Sequence, residues 1–111
     1  MPVDWSDNVC VAHLADDPAF SDELDEVERR LEEHPRHCVL DLAGVTFLNS
    51  SNLAQLVGLR KQLTTTDCRL ALCNVADTIW EAISVSRLDR LFERHESVAM
   101  ALAVVQLEEA T

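Results

Sequence analysis

The sequence predicts an α/β domain built on a mixed, partly parallel sheet with helical cover. Three observations carry that expectation. Short apolar runs bounded by turn residues alternate with longer segments whose apolar residues recur every three or four positions. The order reads strand, helix, strand, helix, strand, helix, helix, the pattern of parallel strands joined by right-handed helical crossovers. Only 2 glycines and 3 prolines occur in 111 residues, so little chain is left for long loops.

Asn8 to Leu14 is the first clear strand, with Val9 and Val11 on one face and Cys10 and Ala12 on the other. Asp16-Asp17-Pro18 breaks it. Phe20, Leu24, Val27 and Leu31 then follow at steps of four, three and four, one stripe of an amphipathic helix. Asp17 or Ser21 is positioned to cap its start, and Pro35 marks its stop. Its outer face carries Asp22, Glu23, Asp25, Glu26, Glu28, Glu32 and Glu33, best read as solvated. Residues 38–42 are apolar except Asp41 and predict a strand covered on both faces. Val45 to Leu48 continues toward Asn49-Ser50-Ser51-Asn52. Leu53, Leu56, Val57 and Leu63 give the stripe of a second helix, and Thr64-Thr65-Thr66-Asp67 a turn.

Arg69 to Val75 is the next strand. Ala76 to Val85 is a third helix with Ile79, Trp80 and Ile83 inward. Leu88, Leu91 and Phe92 pack a connector, and Ser97 caps a last helix carrying Val98, Ala101, Leu102 and Val105. The expected core includes Leu40, Leu42, Val45, Phe47, Leu53, Leu56, Val57, Leu70, Leu72, Ile79, Ile83 and Leu102. All helices can share one face of the sheet if short segments cover the other or leave it partly exposed.

Bulk properties exclude several functions. One domain of 111 residues buries a core without metal or disulfide support. With 9 lysines and arginines against 20 acids the net charge is −11. A nucleic-acid binder needs a basic face, and an acidic chain is repelled by anionic lipid. Solubility or a basic protein partner is the natural reading. The first residues lack the basic and apolar regions of a signal peptide, and no apolar run reaches membrane length, so a cytoplasmic protein without membrane association is expected. Cys10, Cys38, Cys68 and Cys73 form no C-x-x-C pair and are expected as reduced thiols in or beside strands. No metal-ligand spacing, glycine-rich phosphate loop or other cofactor motif occurs. His13, His34, His37 and His95 are scattered. His34 and His37 flank a helix end, where a cap or solvent role is expected. No Ser/His/Asp grouping assembles from spacing, so no catalytic residue is assigned and the chain is not expected to be an enzyme.

The run Asn49-Ser50-Ser51-Asn52 is the most informative feature. It places two hydroxyls where a buried strand ends and a helix begins. A helix start has unpaired N–H groups and positive partial charge, a setting that favours an added phosphate. The plainer reading is that Ser50 or Asn49 caps the helix, and the two are compatible because a cap can also be a phosphoacceptor.

Three stretches give the chain a family likeness. They are Val39 to Leu53, the strand Leu70-Ala71-Leu72-Cys73-Asn74-Val75, and Ile79 to Phe92 followed by Glu96-Ser97-Val98-Ala99-Met100-Ala101-Leu102. In order and spacing they resemble the STAS domain, the fold of bacterial anti-sigma factor antagonists. The resemblance covers roughly residues 8–105. It implies a single STAS-like domain over 1–111, with 1–7 a short N-terminal segment, about four to five strands and about four helices. It also implies a non-enzymatic domain of bacterial signalling and transcription regulation, without cofactor, that binds an anti-sigma factor or a serine kinase of the histidine-kinase-like ATPase type. The family's phosphoacceptor falls on Ser50, with Ser51 as fallback, and its partner-binding segment on Asn49, Ser50, Ser51 and Asn52. Unphosphorylated antagonist binds the anti-sigma factor and phosphorylated antagonist does not. Two positions depart from the family pattern: its aspartate is Asn49 here and its glycine is Asn52. The alternative is a phosphorylation-independent STAS scaffold or interaction module for a transporter or signalling assembly.

Overall fold

A computed structural model describes residues 3–110; residues 1, 2 and 111 of the expected domain lie outside the described residues. The chain forms β1 (Val3–Trp5), β2 (Val9–Ala15), α1 (Ala19–Glu33), β3 (His37–Gly44), α2 (Ser50–Thr64), β4 (Leu70–Cys73), α3 (Asp77–Val85), a 3₁₀ turn (Asp89–Leu91), β5 (Glu93–His95) and α4 (Val98–Ala110). The five strands make one sheet in sequence order, β1-β2-β3-β4-β5. β1 pairs antiparallel with β2, and all other neighbours are parallel. The mixed sheet and four helices match the expected class.

The sheet is apolar on both faces because its strands alternate two apolar sets. Cys10, Ala12, Leu14, Cys38, Leu40, Leu42, Leu70 and Leu72 join the larger core with residues of α1, α2 and α3. Val9, Val11, Val39, Ala71 and Cys73 face the other way, against Ala101, Val98 and Leu102 of α4. Helical cover is therefore on both sides of the sheet, not one. The last helix crosses over because the odd-numbered strand residues are as apolar as the even ones and cannot be left wet.

Two short strands escaped the sequence pattern. β1 is held by Trp5, which packs on the core under the guanidiniums of Arg30 and Arg36, 4.3 and 5.3 Å from its ring centre. β5 is Glu93-Arg94-His95, a run with no apolar alternation. It pairs with Ala71, Leu72 and Cys73, and Glu93 binds Arg69.

The expected core is buried at Leu40, Leu42, Val45, Leu56, Leu70, Leu72, Ile79 and Ile83. Leu53, Val57, Trp80 and Leu102 are only half-buried. Phe47 is wrong: it is 66% exposed. The chain leaves the sheet after Gly44, Val45 and Leu48 take the inward positions, and Phe47 turns out. Gly44 sits where a Cβ would lie 2.8 Å from the Leu14 carbonyl oxygen, so the exit from β3 has no room for a side chain. The buried stripe of α2 is Asn52, Leu56, Leu59 and Leu63, one position off the expected stripe at its start. Of the four free thiols, Cys10, Cys38 and Cys73 are buried in strands and Cys68 is half-buried just before β4. His37 corrects the expectation of a cap or solvent role. It is buried at the start of β3, and its Nδ1 accepts from the Arg69 amide at 2.9 Å.

Candidate functional site

The start of α2 is built by two asparagines and two aspartates. Asn49 is the N-cap, with extended backbone at φ −96° and ψ 177°. Its Oδ1 accepts from the Asn52 amide at 2.8 Å, and Asn52 Oδ1 accepts from the Asn49 amide at 3.1 Å. This is a reciprocal capping box made by two asparagines. The cap is thus Asn49, not Ser50. Asn52 is 2% exposed and donates Nδ2 to Asp17 Oδ2 at 3.1 Å. The Asp17 carboxylate also receives the Ser21 amide at 3.0 Å, and Ser21 Oγ lies 2.7 Å from Asp17 Oδ1 and 3.0 Å from Gln55 Oε1. One carboxylate therefore ties the first turns of α1 and α2 together. Asp17 also serves α1, whose N-cap residue Pro18 offers no side-chain bond.

Asp16 fixes the loop before the helix. Its Oδ1 accepts from the Thr46 amide at 2.8 Å and its Oδ2 from the Thr46 hydroxyl. Donors around both carboxylates, the Thr46 hydroxyl for Asp16 and the Ser21 hydroxyl for Asp17, hold their pKa values below the ordinary aspartate value. The segment carrying Phe47 is a braced projection from the end of the sheet.

Ser50 and Ser51 occupy the first two positions of α2, and both are exposed. Among the described residues neither hydroxyl nor either amide has a hydrogen-bond partner, since the first helical bond runs from the Leu53 amide to the Asn49 carbonyl at 3.1 Å. Two free N–H groups at a helix start suit an anionic substituent. Of the four residues singled out from sequence, Ser50 and Ser51 lie on the surface and Asn49 is half-buried, while Asn52 points inward and supports the surface from below.

Sequence reasoning missed Asp16 as the brace of the loop and Phe47 as a surface residue. The signal was present: parallel neighbours end on the same side of a sheet, so the residues after β2 and after β3 must meet.

A separate polar cluster lies at the ends of β2, β3 and β4. His13 Nδ1 is 2.7 Å from Asp41 Oδ2, Asn74 Nδ2 donates to Asp41 Oδ1 at 3.0 Å, and Asp4 Oδ2 is 3.4 Å from His13 Nε2. The Asp41 bond raises the His13 pKa. Burial pushes Asp41 up, but Asn74, the Ala43 amide and His13 outweigh it and the net shift is downward. His13 is paired with carboxylates and not with Ser50. Among the described residues no three His, Cys, Asp or Glu side chains converge to hold a metal ion, and no helix is long and apolar enough to cross a membrane.

Comparison with known proteins agrees with this architecture. No curated protein matches the sequence. Among solved structures, an anti-sigma-factor antagonist (STAS) domain protein from Planctomyces limnophilus superposes with a TM-score of 0.81 at 22% identity, covering 94% of this chain and 96% of that one. The anti-sigma factor antagonist SpoIIAA in its unphosphorylated form gives 0.80 at 16% identity, with 94% of each chain covered. A sulfate transporter family protein from Wolinella succinogenes gives 0.80 at 19% identity, covering 93% of this chain and 88% of that one. At these identities the likeness is one of fold. The sequence itself matches the family model of the STAS domain over residues 17–101, and on that match the chain belongs to the STAS-domain family.

Proposed function

We propose that this chain is a non-enzymatic protein-interaction domain of the anti-sigma factor antagonist kind, switched by phosphorylation of Ser50. The observation that carries the reading is the exposed Ser50 hydroxyl on the first turn of α2, beside two unpartnered amides. Phosphate there adds roughly −1.5 to −2 charges. The helix start accommodates it, so the fold persists while the surface changes sign. The partner is a protein: an anti-sigma factor, or a serine kinase of the histidine-kinase-like ATPase type. Phe47, three residues before the acceptor, is an exposed aromatic on a braced loop and supplies an apolar anchor for that partner.

A second reading, a phosphorylation-independent interaction module, is favoured by one observation. Asn49 replaces the carboxylate of the family pattern, and its Oδ1 and backbone amide are both committed to Asn52 in the cap. The fold likeness to a sulfate transporter family protein is compatible with it. Partner binding separates the two. Under the switch, Ser50→Asp weakens capture of the cognate anti-sigma factor while Ser50→Ala retains it. Equal binding by both variants supports the second reading.

A further inference from the structure

At the far end of α2 from Ser50, a cleft of about 330 Å³ opens between the last turn of that helix, the start of β4 and the segment entering β5. A helix of 15 residues is about 22 Å long, so this place is separate from the switch. Arg60, Arg69 and Arg90 line it, three of the 9 basic residues of a chain with net charge −11. Glu93 is the one acid in the lining. Glu93 is matched by Arg69, which binds it through Nε at 2.9 Å and through a second guanidinium nitrogen. Arg60 commits Nε to the Leu91 carbonyl at 2.6 Å. Among the described residues its terminal nitrogens have no partner, and the exposed Arg90 has none at all. Arg60 and Arg90, neither of them paired with a carboxylate among the described residues, thus line the same cleft.

The end of a helix repels anions, but here the carbonyls are covered. Thr64 Oγ1 donates to the Arg60 carbonyl at 2.8 Å, Thr65 Oγ1 to the Gln62 carbonyl at 2.7 Å and Thr66 Oγ1 to the Leu63 carbonyl at 3.1 Å. Leu91 and Phe92 add an apolar wall. We infer that this cleft binds a small phosphate monoester. A dianion balances the two guanidiniums, their planar forks suit tetrahedral oxygens, and the wall takes a small organic body. The volume stands at the lower end of small-molecule sites.

Cys68 lies in the same lining and is the one thiol of four that is not buried, so its alkylation reports on the cleft in the folded protein. The probe is phenyl phosphate, titrated at fixed ionic strength, with maleimide labelling of Cys68 and amide NMR shifts as readouts. Phenyl phosphate is expected to slow labelling and to shift amides of residues 60–70 and 90–93. Inorganic phosphate binds more weakly, benzoate more weakly still, and phenol not at all. Arg90→Glu, a surface change that leaves folding intact, weakens phenyl phosphate about tenfold or more. Arg60→Gln, checked for native circular dichroism, does the same. Protection by phenol or benzoate equal to that by phenyl phosphate overturns the proposal. So does inorganic phosphate binding as tightly as the ester, an unaltered affinity in Arg90→Glu, or the absence of either readout.

Discussion

Replacing Asn52 by alanine tests how the start of α2 is held. Asn52 is buried, and its side chain makes two bonds: it accepts from the Asn49 amide at 3.1 Å and donates to Asp17 at 3.1 Å. The backbone half of the capping box, from the Asn52 amide to Asn49 Oδ1, survives the change. What is lost first is the acceptor for a half-buried amide, and leaving such a group unpaired costs about 1–3 kcal/mol. The Asp17 arm adds little, because that carboxylate is open to water and water replaces the lost donor. For a chain of this length the unfolding entropy converts that loss to a drop in Tm of roughly 4–13 °C. Urea and thermal unfolding, followed by far-UV circular dichroism, measure it. Asn52→Asp is expected to fall further, since it sets a second carboxylate against Asp17. If Asn52→Ala unfolds within about 0.5 kcal/mol of wild type, in the range of an ordinary surface change, the account of the cap is refuted.

Three further outcomes follow from the same geometry. Gly58 is exposed in the interior of α2, and a Cβ there meets nothing nearer than Glu28 Oε1 at 4.0 Å, so Gly58→Ala should raise stability by about 0.5–1 kcal/mol in urea unfolding; a loss means the site is tighter than described. Phe47→Ala should leave stability within about 0.5 kcal/mol while weakening partner affinity by about 1 kcal/mol or more in calorimetry, and unchanged affinity removes Phe47 from the interface. The raised His13 pKa makes its bond to Asp41 stabilising below the unfolded value near 6.5, and the contribution fades as pH rises through the folded value. The stability gap between wild type and His13→Asn should therefore shrink from about pH 6 to pH 8, and a gap constant over that range contradicts the pairing.

Where periodicity was strong, the residues declared their places. Phe20, Leu24, Val27 and Leu31 are all buried on α1, and Ser97 Oγ accepts the Met100 amide at 3.1 Å as the cap of the last helix. Legibility failed where local signal was absent or spread too evenly. β5 is three polar residues recruited by pairing with β4, and no propensity marks it. In α2, Leu53, Leu56, Val57, Leu59 and Leu63 lie around more than one face, so spacing could not choose the inward side. Tertiary bonds chose it: the capping box and Asp17 draw Asn52 in and turn Leu53 partly outward. Phe47 was misplaced for a similar reason. An apolar run suggested a continuing strand, whereas Asp16 captures Thr46 and bends the chain away. The serine pair itself was visible as a hydroxyl run between strand and helix. Its support from Asp16 and Asp17, some 30 residues earlier, depended on the parallel order of β2 and β3.

The central claim is that Ser50 is the regulated residue. Its most direct test is site-resolved mass spectrometry of the protein after incubation with ATP and a cognate kinase of the histidine-kinase-like ATPase type. The expected result is a single phosphate on Ser50, with the phosphorylated fraction folded and no longer retained by the anti-sigma factor. Phosphate on Ser51 alone, or on neither serine, contradicts the switch.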